Sequence, residues 1–116
     1  MTIKRIETNL RMSKVVIHNN VVHLSGLVGG ELYASTTNQT KQILAQVDNY
    51  LAQAGTNKSK LLTAQIWLDD IRKFDEMNVA WDAWLSPGNA PTRACVESRM
   101  ANPGIFVEIL VTAAID

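Results

Sequence analysis

The last quarter of the chain reads Ala90-Pro-Thr-Arg-Ala-Cys-Val-Glu-Ser-Arg-Met-Ala-Asn-Pro-Gly-Ile-Phe-Val-Glu-Ile-Leu-Val111. Two β-strand patterns flank an Asn-Pro-Gly turn at 102–104. Each pattern carries a charge where a strand usually carries an apolar side chain: Arg93 in the first and Glu108 in the second. Because an unpaired charge is costly to bury, such residues are usually paired or used in a site. This segment therefore holds the main clues to both fold and function.

The composition is that of one ordinary globular domain, and we expect a single domain over residues 1–116. A chain of 116 residues with 47% hydrophobic and 19% charged residues can form one core without covalent staples. Lys and Arg number 11, Asp and Glu also number 11, and the formal net charge is zero. Nucleic-acid-binding domains normally carry a basic excess, so this balance predicts no nucleic-acid partner.

Cys95 is the only cysteine, so no internal disulfide can form and a reducing compartment is the simplest expectation. The start, Met1-Thr-Ile-Lys-Arg-Ile-Glu7, has no apolar segment typical of a signal peptide. No apolar run approaches the ~20 residues that span a bilayer. The sequence thus predicts a cytoplasmic protein with no membrane partner.

Local patterns predict the elements that precede the last quarter. Two β-branched runs surround Asn19 and Asn20, which tolerate positive φ, and this predicts a tight hairpin. Thr36 to Gln39 resembles a capping box, and Gly55 supplies a helix stop. The further expectations are a short strand near 3–6, a helix over 36–54, a strand over 61–68 buried on both faces, a helix opened by Asp69 or Asp70 and closed by Ser86-Pro87-Gly88, and strands near 92–98 and 105–113.

This order predicts an α+β fold with a mixed sheet of five or six strands and two helices on one face. Strand–helix–strand units imply parallel neighbours with right-handed crossovers. Two helices cannot cover both faces of such a sheet, so its other, partly apolar face is expected to be an interface. Local pattern alone would also pair 92–98 with 105–113 as a hairpin, since Pro-Gly suits a type II turn.

Arg93, Cys95 and Glu97 alternate along one predicted strand and should point to the same side. Arg93 could therefore form a structural salt bridge with Glu97, or it could bind a ligand. Cys95 could be a small buried hydrophobe, or a thiol made reactive by the neighbouring guanidinium. Glu108 has apolar neighbours on its own strand face, so simple solvation does not account for it.

Arg93 and Glu108 together would suit a small anionic substrate. A guanidinium binds a carboxylate through two parallel hydrogen bonds, and a desolvated carboxylate can hold water or move a proton. Ser25 and Gly26 could add a hydroxyl or a backbone donor. No spacing typical of metal ligands or of a phosphate-binding loop is present, and this chemistry needs no cofactor.

These residues are similar to those of the Rid family, the YjgF-type reactive intermediate/imine deaminases. The resemblance runs from about Val15 to Ala114 and rests on four motifs in order. The motifs are Leu24-Ser25-Gly26, Phe74-Asp-Glu-Met-Asn78, Ala90-Pro-Thr-Arg-Ala-Cys-Val-Glu97 and Val107-Glu108-Ile109. The third motif followed by the fourth is quite specific, whereas any one of them alone would be weak.

The resemblance implies a fold like that of Bacillus-type chorismate mutase and a homotrimer with sites in the clefts between subunits. In that fold the last strand inserts between earlier strands, so the local hairpin is given up. The resemblance also implies that Arg93 holds the substrate carboxylate and that Glu108 positions the attacking water. Ser25, Asn78 and Cys95 match other substrate-binding positions.

The chain departs from the family pattern in its N-terminal third. Family members carry a Gly-Pro-Tyr segment whose tyrosine lines the pocket, whereas Leu10-Arg-Met-Ser-Lys14 has no tyrosine. The usual Ser-Gly-Gln-Ile-Pro is replaced by Ser25-Gly-Leu-Val-Gly29. These changes indicate a divergent subfamily that keeps the carboxylate-binding arginine within an altered pocket wall.

Two functional hypotheses follow. The first is a cofactor-independent enzyme that hydrolyses enamines and imines of the 2-aminoacrylate/2-iminopropanoate type to a 2-keto acid and ammonia. The second is a non-catalytic trimer that binds or senses a small carboxylate such as a 2-keto acid. An RNA-directed nuclease, an activity attached to some relatives of the family, is disfavoured by the neutral charge.

Overall fold

The computed structural model describes residues 2–116 and shows one mixed sheet with two helices. The strands are β1 Lys4–Thr8, β2 Ser13–His18, β3 Val21–Leu24, β4 Leu27–Val28, β5 Leu61–Leu68, β6 Thr92–Glu97 and β7 Val107–Ala114. The helices are α1 Thr36–Gln53 and α2 Phe74–Trp84, with 3₁₀ turns at Lys58–Lys60 and Ile71–Lys73. The α+β class is confirmed. The sheet has seven strands because the two-residue strand β4, which no local pattern predicted, pairs with β7.

The strand order is β1-β2-β3-β7-β5-β6, with β4 alongside β7. The last strand thus lies between β3 and β5 and is antiparallel to both. This confirms the insertion that the family resemblance implied, and the local hairpin between 92–98 and 105–113 is wrong. β6 pairs instead with β5, in parallel, after the crossover through α2. β6 is therefore an edge strand beside α2.

Backbone conformation at two turns matches the sequence prediction. Asn19 and Asn20 adopt φ of 52° and 63° between β2 and β3, as a tight hairpin requires. Helix α1 ends where Gly55 adopts φ of 85°, and the amide of Gly55 donates to the carbonyl of Ala52. The hairpin turn and the end of α1 were both predictable because each depends on the conformational preferences of local residues.

The N-cap of α1 lies one residue before the predicted capping box, and the helix itself begins at Thr36 as expected. Ser35 is the N-cap, and its Oγ accepts a hydrogen bond from the Asn38 amide at 3.1 Å. Thr36 already lies inside the helix and is buried. The predicted cap at Thr36 is therefore wrong, since two adjacent hydroxyls suited the pattern and burial of the second decided between them.

Gln39, assigned from the sequence to the same capping box, instead joins two loops. Its side chain is 1% exposed. Its Nε2 donates to the carbonyls of Ala34 and Gly104, and its Oε1 accepts from the Phe106 amide at 2.8 Å. These bonds tie the loop before α1 to the loop before β7.

Asp70 organises the approach to α2. Its side chain accepts from the Arg72 amide at 2.9 Å and caps the 3₁₀ turn at Ile71–Lys73, after which α2 begins at Phe74. Side-chain and backbone hydrogen bonds from Arg72 lower the pKa of Asp70 to about 2. Of the two predicted caps, Asp70 is the one used, and it acts one 3₁₀ turn ahead of the helix.

The sheet has one covered and one open face. Side chains along β7 alternate between buried and half-buried, and the buried set faces α1 and α2, which pack together on that face. Leu62 and Thr63 of β5 are exposed, so the expected burial of this strand on both faces is not found within one chain. The prediction that both helices cover one face is confirmed. Across residues 2–116, no helix has the length and apolarity to cross a membrane.

Candidate active site

Arg93 lies on the edge strand β6, on the face that the helices cover. Its register partner on β5 is Ala64, which is 4% exposed beneath the helices. Because paired residues in a sheet project to the same side, the side chain of Arg93 extends towards α2. Cys95 and Glu97 share this side, as the predicted alternation required.

Helix α2 orients the guanidinium of Arg93 with three side chains. Nη1 of Arg93 donates to Oδ1 of Asn78 at 2.8 Å. The guanidinium carbon lies 5.5 Å from the ring centroids of both Phe74 and Trp81. These three helix residues are spaced by four and three positions, so they form one stripe along α2. Cation–π contacts and one hydrogen bond thus fix the guanidinium while its other N–H groups are available to a ligand.

The alternative of a salt bridge between Arg93 and Glu97 is not realised. None of the ion pairs formed within residues 2–116 includes Arg93. Glu97 is used differently, because its Oε1 accepts from the Ile71 amide at 3.0 Å. The positive charge of Arg93 is therefore not neutralised by the described part of its own chain.

Cys95 follows Arg93 on the same face and packs against the hydrophobic core. Burial raises the pKa of the Cys95 thiol, and the lowering effect of the nearby Arg93 charge is smaller. The thiol is consequently neutral at neutral pH. Of the two readings from the sequence, the packed thiol is favoured over the reactive one.

Glu108 lies near the start of β7, on the open face. Its neighbours Val107 and Ile109 are fully buried under the helices, so the side chain between them projects the other way. Strand β4 runs alongside and pairs Val28 with Glu108. Gly26, just before β4, leaves space for the carboxylate, because a Cβ at this position would overlap Oε2 of Glu108.

Ser25 belongs to the same side as Glu108. Its amide donates to the carbonyl of Lys14 at 2.9 Å, which extends the ladder between β2 and β3 by one residue. Since Leu24 is 3% exposed beneath the helices, the next side chain projects to the open face. The Oγ of Ser25 is buried and has no hydrogen-bond partner within residues 2–116. A buried hydroxyl without a partner costs free energy unless a ligand or a second chain satisfies it.

The five candidate residues thus form two groups on opposite faces of the sheet. Arg93, Asn78 and Cys95 lie on the helix-covered face at the β6 edge. Ser25 and Glu108 lie on the open face, next to β4. The sequence predicted these residues individually, but it did not predict that they would separate in this way.

The separation of the two groups follows from the strand register. Arg93 aligns with Ala64 on β5 and through it with Val111 on β7, so it is offset from Glu108 by three residues (111 − 108). Three residues along a strand are about 10 Å, and the two strand spacings between β6 and β7 add about 10 Å sideways. One small carboxylate cannot contact both side chains within one chain.

A cleft of about 670 Å³ is present in the single chain, but it lies beyond the end of β6. It is lined by Asp69, Glu97, Ser98, Arg99, Met100, Asn102, Pro103 and Ile105. None of the five candidate residues belongs to this lining. A second, smaller cleft of about 370 Å³ is lined by Arg93 and by neighbouring residues of β5, β6 and β7. Neither of these two clefts includes Ser25 or Glu108, so within one chain Arg93 and Glu108 do not share a cleft.

Titratable side chains elsewhere do not gather into a second constellation. Within residues 2–116, no three His, Cys, Asp or Glu residues are placed to hold a metal ion. Both histidines, His18 and His23, lie on the hairpin of β2 and β3.

Sequence reasoning missed two parts of this geometry. It did not connect Phe74 and Trp81 with the guanidinium of Arg93, although their spacing from Asn78 already placed all three on one helix face. It treated Gly26 as a backbone donor, whereas the missing Cβ gives the Glu108 carboxylate its space. No local pattern signals that second role, because β4 and β7 are about 80 residues apart in the sequence.

The fold and the arrangement around Arg93 define a recognisable class of proteins. A family model described as Endoribonuclease L-PSP matches residues 2–115. The RutC family protein YoaB of Escherichia coli K12 is 46% identical over 115 residues, which are 99% of this chain and 100% of the relative. The chain therefore belongs to the YjgF/RutC/Rid family, as its motifs indicated.

A further relative and two solved structures support this assignment to the family. A RutC family protein of Haemophilus ducreyi is 43% identical over 114 residues, covering 98% of this chain and 97% of the relative. NMB1025 of Neisseria meningitidis, a YjgF family member of known structure, is 41% identical with a TM-score of 0.96, covering 100% of this chain and 97% of the other. YyfA of Yersinia pestis, described as a Rid family protein of unknown function, is 27% identical with a TM-score of 0.85, covering 93% and 90%. The expected chorismate mutase-like fold is confirmed.

Proposed function

We propose that this protein is a cofactor-independent deaminase that hydrolyses 2-imino acids, of the 2-aminoacrylate/2-iminopropanoate type, in clefts between the subunits of a homotrimer. The observation that carries the proposal is the guanidinium of Arg93, oriented by Phe74, Asn78 and Trp81 and left without a carboxylate partner within residues 2–116. Membership of the YjgF/RutC/Rid family fits either imine deamination or small-molecule binding.

Arg93 binds and orients the substrate. Its free N–H groups can form two parallel hydrogen bonds with the carboxylate at C1 of a 2-imino acid. Since the aromatic rings and Asn78 already fix the guanidinium, little conformational entropy is lost on binding. The C2 carbon, which carries the imine, is then held at a constant distance from Arg93.

Glu108 supplies the proton transfer. Its carboxylate accepts a hydrogen bond from a water molecule, and the water oxygen attacks C2 of the imine. One proton of that water passes through Glu108 to the imine nitrogen, which gives a carbinolamine. Collapse of the carbinolamine breaks the C2–N bond, releases ammonia and leaves the 2-keto acid. The imine is intrinsically reactive, so positioning and electrostatics suffice and no cofactor takes part.

Two chains are needed because the groups lie on opposite faces of one sheet. The Arg93 group sits at the β6 edge of one subunit, and the Ser25–Glu108 group sits on the open face of another. The open face is also the uncovered surface that a closed assembly would bury. The unpartnered Oγ of Ser25 supports this arrangement, since a ligand or a neighbouring chain in the cleft would satisfy it.

The test is release of ketoacid and ammonia from 2-aminoacrylate generated in situ. Wild type should exceed the buffer rate, and Arg93→Ala and Glu108→Gln should both fall towards it. If wild type and both variants match the buffer rate, the proposal of an enzyme fails. The oligomeric state, measured by light scattering, should be trimeric for all three proteins.

A non-catalytic carboxylate-binding protein is the second candidate. Arg93 and the α2 side chains that orient it belong to one chain, whereas the proposed hydrolysis needs Glu108 from a second chain. The absence of tyrosine from Leu10-Arg-Met-Ser-Lys14 also marks an altered pocket wall. Calorimetry with 2-ketobutyrate, run beside the kinetic assay, separates the two functions. Binding without turnover favours a sensor or carrier, and no binding of small carboxylates excludes it.

A nuclease, which the description of the family model names, has less support from this chain. The net charge is zero, whereas binding to a phosphate backbone normally requires a basic excess. Both histidines lie on the hairpin of β2 and β3 and not among the candidate residues. Cleavage of a mixed-sequence RNA by wild type, lost in Arg93→Ala, would reverse this ranking.

A further inference from the structure

Lys14 lies beside the Ser25–Glu108 group, and the proposed reaction does not use its side chain. It precedes Val15 on β2, and Val15 is fully buried under the helices, so Lys14 projects to the open face. The carbonyl of Lys14 accepts from the Ser25 amide at 2.9 Å, which places the two residues side by side. Gly26 follows Ser25 and lies against the carboxylate of Glu108. Lys14, Ser25 and Glu108 therefore form a row across one end of the open face.

The charge of Lys14 has no counter-ion in this row. None of the ion pairs within residues 2–116 includes Lys14, although its side chain is half-buried. Glu7 lies between the paired β1 residues Ile6 and Thr8 and is itself left out of the pairing, with φ of 52°. Oε1 of Glu7 accepts from the hydroxyl of Tyr50 on α1 at 3.2 Å. Glu7 is thus turned to the covered face and leaves the ammonium group of Lys14 unpaired. Glu108 is the acidic group of the row, and the strand that pairs with it is β4, which follows β3 in the chain.

We propose that Lys14 makes this cleft selective for 2-imino and 2-keto acids that carry a second carboxylate. The inference rests on the proposed function, because it places the first carboxylate on Arg93 and C2 near Glu108. A lysine stem reaches about 6 Å, and two strand spacings together with an offset of two residues along the strands separate Lys14 from Glu108 by about 12 Å. The distal carboxylate of a four- or five-carbon 2-imino diacid, two or three bonds beyond C2, falls within that interval. The uncharged tail of 2-iminopropanoate would leave Lys14 without a partner.

Calorimetry on the full chain with 2-ketoglutarate and 2-ketobutyrate tests the inference. Wild type should bind 2-ketoglutarate about tenfold more tightly, the worth of one additional charge-assisted contact. Lys14→Met keeps the apolar stem and removes the charge, and it should bring the ratio of the two Kd values close to one. Lys14→Arg should retain a preference for the diacid. Lys41→Met, an exposed lysine on α1, is the matched control and should keep the wild-type ratio.

The outcomes separate this inference from the proposed function. If wild type binds both keto acids equally, or if the preference survives in Lys14→Met, the role of Lys14 is wrong while the Arg93 site stands. If wild type binds neither keto acid, the role of Lys14 is wrong, and the turnover assay decides the proposed function separately. A kinetic arm with 2-iminoglutarate and 2-iminopropanoate, each generated in situ by an amino acid oxidase, should show the preference in KM more than in kcat.

Discussion

Arg93 and Glu108 project from opposite faces of the same sheet. Arg93 pairs with the buried Ala64 and reaches Asn78 on α2, whereas Glu108 alternates with buried β7 neighbours and faces away from both helices. If one substrate uses both side chains, they must come from two chains. The faces on which these two charged side chains lie therefore bear directly on how the subunits assemble.

Replacing Arg93 should weaken carboxylate binding. Arg93→Ala removes a charge-assisted bidentate contact, and the affinity for 2-ketobutyrate should fall by at least about tenfold. Arg93→Lys should recover only part of it, because an ammonium lacks the planar fork and stacks poorly between Phe74 and Trp81. Calorimetry measures both variants, with Arg99→Lys as a control outside the group. Unchanged affinity in Arg93→Ala would contradict the assignment.

Gly26→Ala should impair activity without unfolding the protein. The new Cβ would overlap Oε2 of Glu108, which sits at the end of a flexible side chain and can move away. We therefore expect a fall in kcat of about tenfold or more with little change in Tm. Gly30→Ala is the matched control, since a Cβ there would meet nothing within 4 Å. Equal kcat values for the two variants would argue against Glu108 as the water-positioning group.

Gln39→Ala should lower stability. The change leaves the half-buried Phe106 amide without its acceptor and opens a small cavity at the buried Gln39 side chain between two loops. The free energy of unfolding should fall by about 2–4 kcal/mol. Urea unfolding measures the difference, and Gln53→Ala, at the exposed end of α1, should change it by less than about 0.5 kcal/mol. A similar small effect at both positions would mean that the loops are held together in another way.

The pH at which Cys95 is alkylated at half-maximal rate should reflect the surroundings of the thiol. Burial raises the pKa of the folded thiol, so its reaction with iodoacetamide should reach half-maximal rate at higher pH than in the urea-unfolded chain. The charge of Arg93 acts in the opposite direction, so Arg93→Ala should move the folded midpoint further upward. A folded midpoint below the unfolded one would contradict the packed-thiol interpretation.

Elements whose ends depend on local chemistry could be predicted from the sequence. Asn19, Asn20 and Gly55 tolerate positive φ, and the turn and the helix stop are found at these residues. The N-cap was misplaced by one residue because Ser35 and Thr36 offer the same hydroxyl, and tertiary burial chose between them. Gln39 was misread for the same reason, since its partners are about 65 residues away.

The position of β7 could not be derived from local pattern. A Pro-Gly turn makes a hairpin with β6 locally favourable, yet β7 pairs with β3 and β5 because its buried side chains complete the core beneath both helices. Only the family motifs predicted this insertion. For the site, the alternation of side chains predicted which neighbours share a side with Arg93 and with Glu108 on their own strands. It did not predict which of these sides α2 covers, because that depends on the topology of the sheet.

Subunit complementation tests the shared site most directly. Arg93→Ala and Glu108→Gln are each expected to be inactive alone, so they are unfolded together in equal amounts and refolded as mixed trimers. A cleft that takes Arg93 from one chain and Glu108 from its neighbour will be intact in about one quarter of cases under random mixing, and the mixture should recover about that fraction of the wild-type rate. If both residues had to come from one chain, no mixed cleft would be intact. A mixture that is no more active than its separate components would contradict the account.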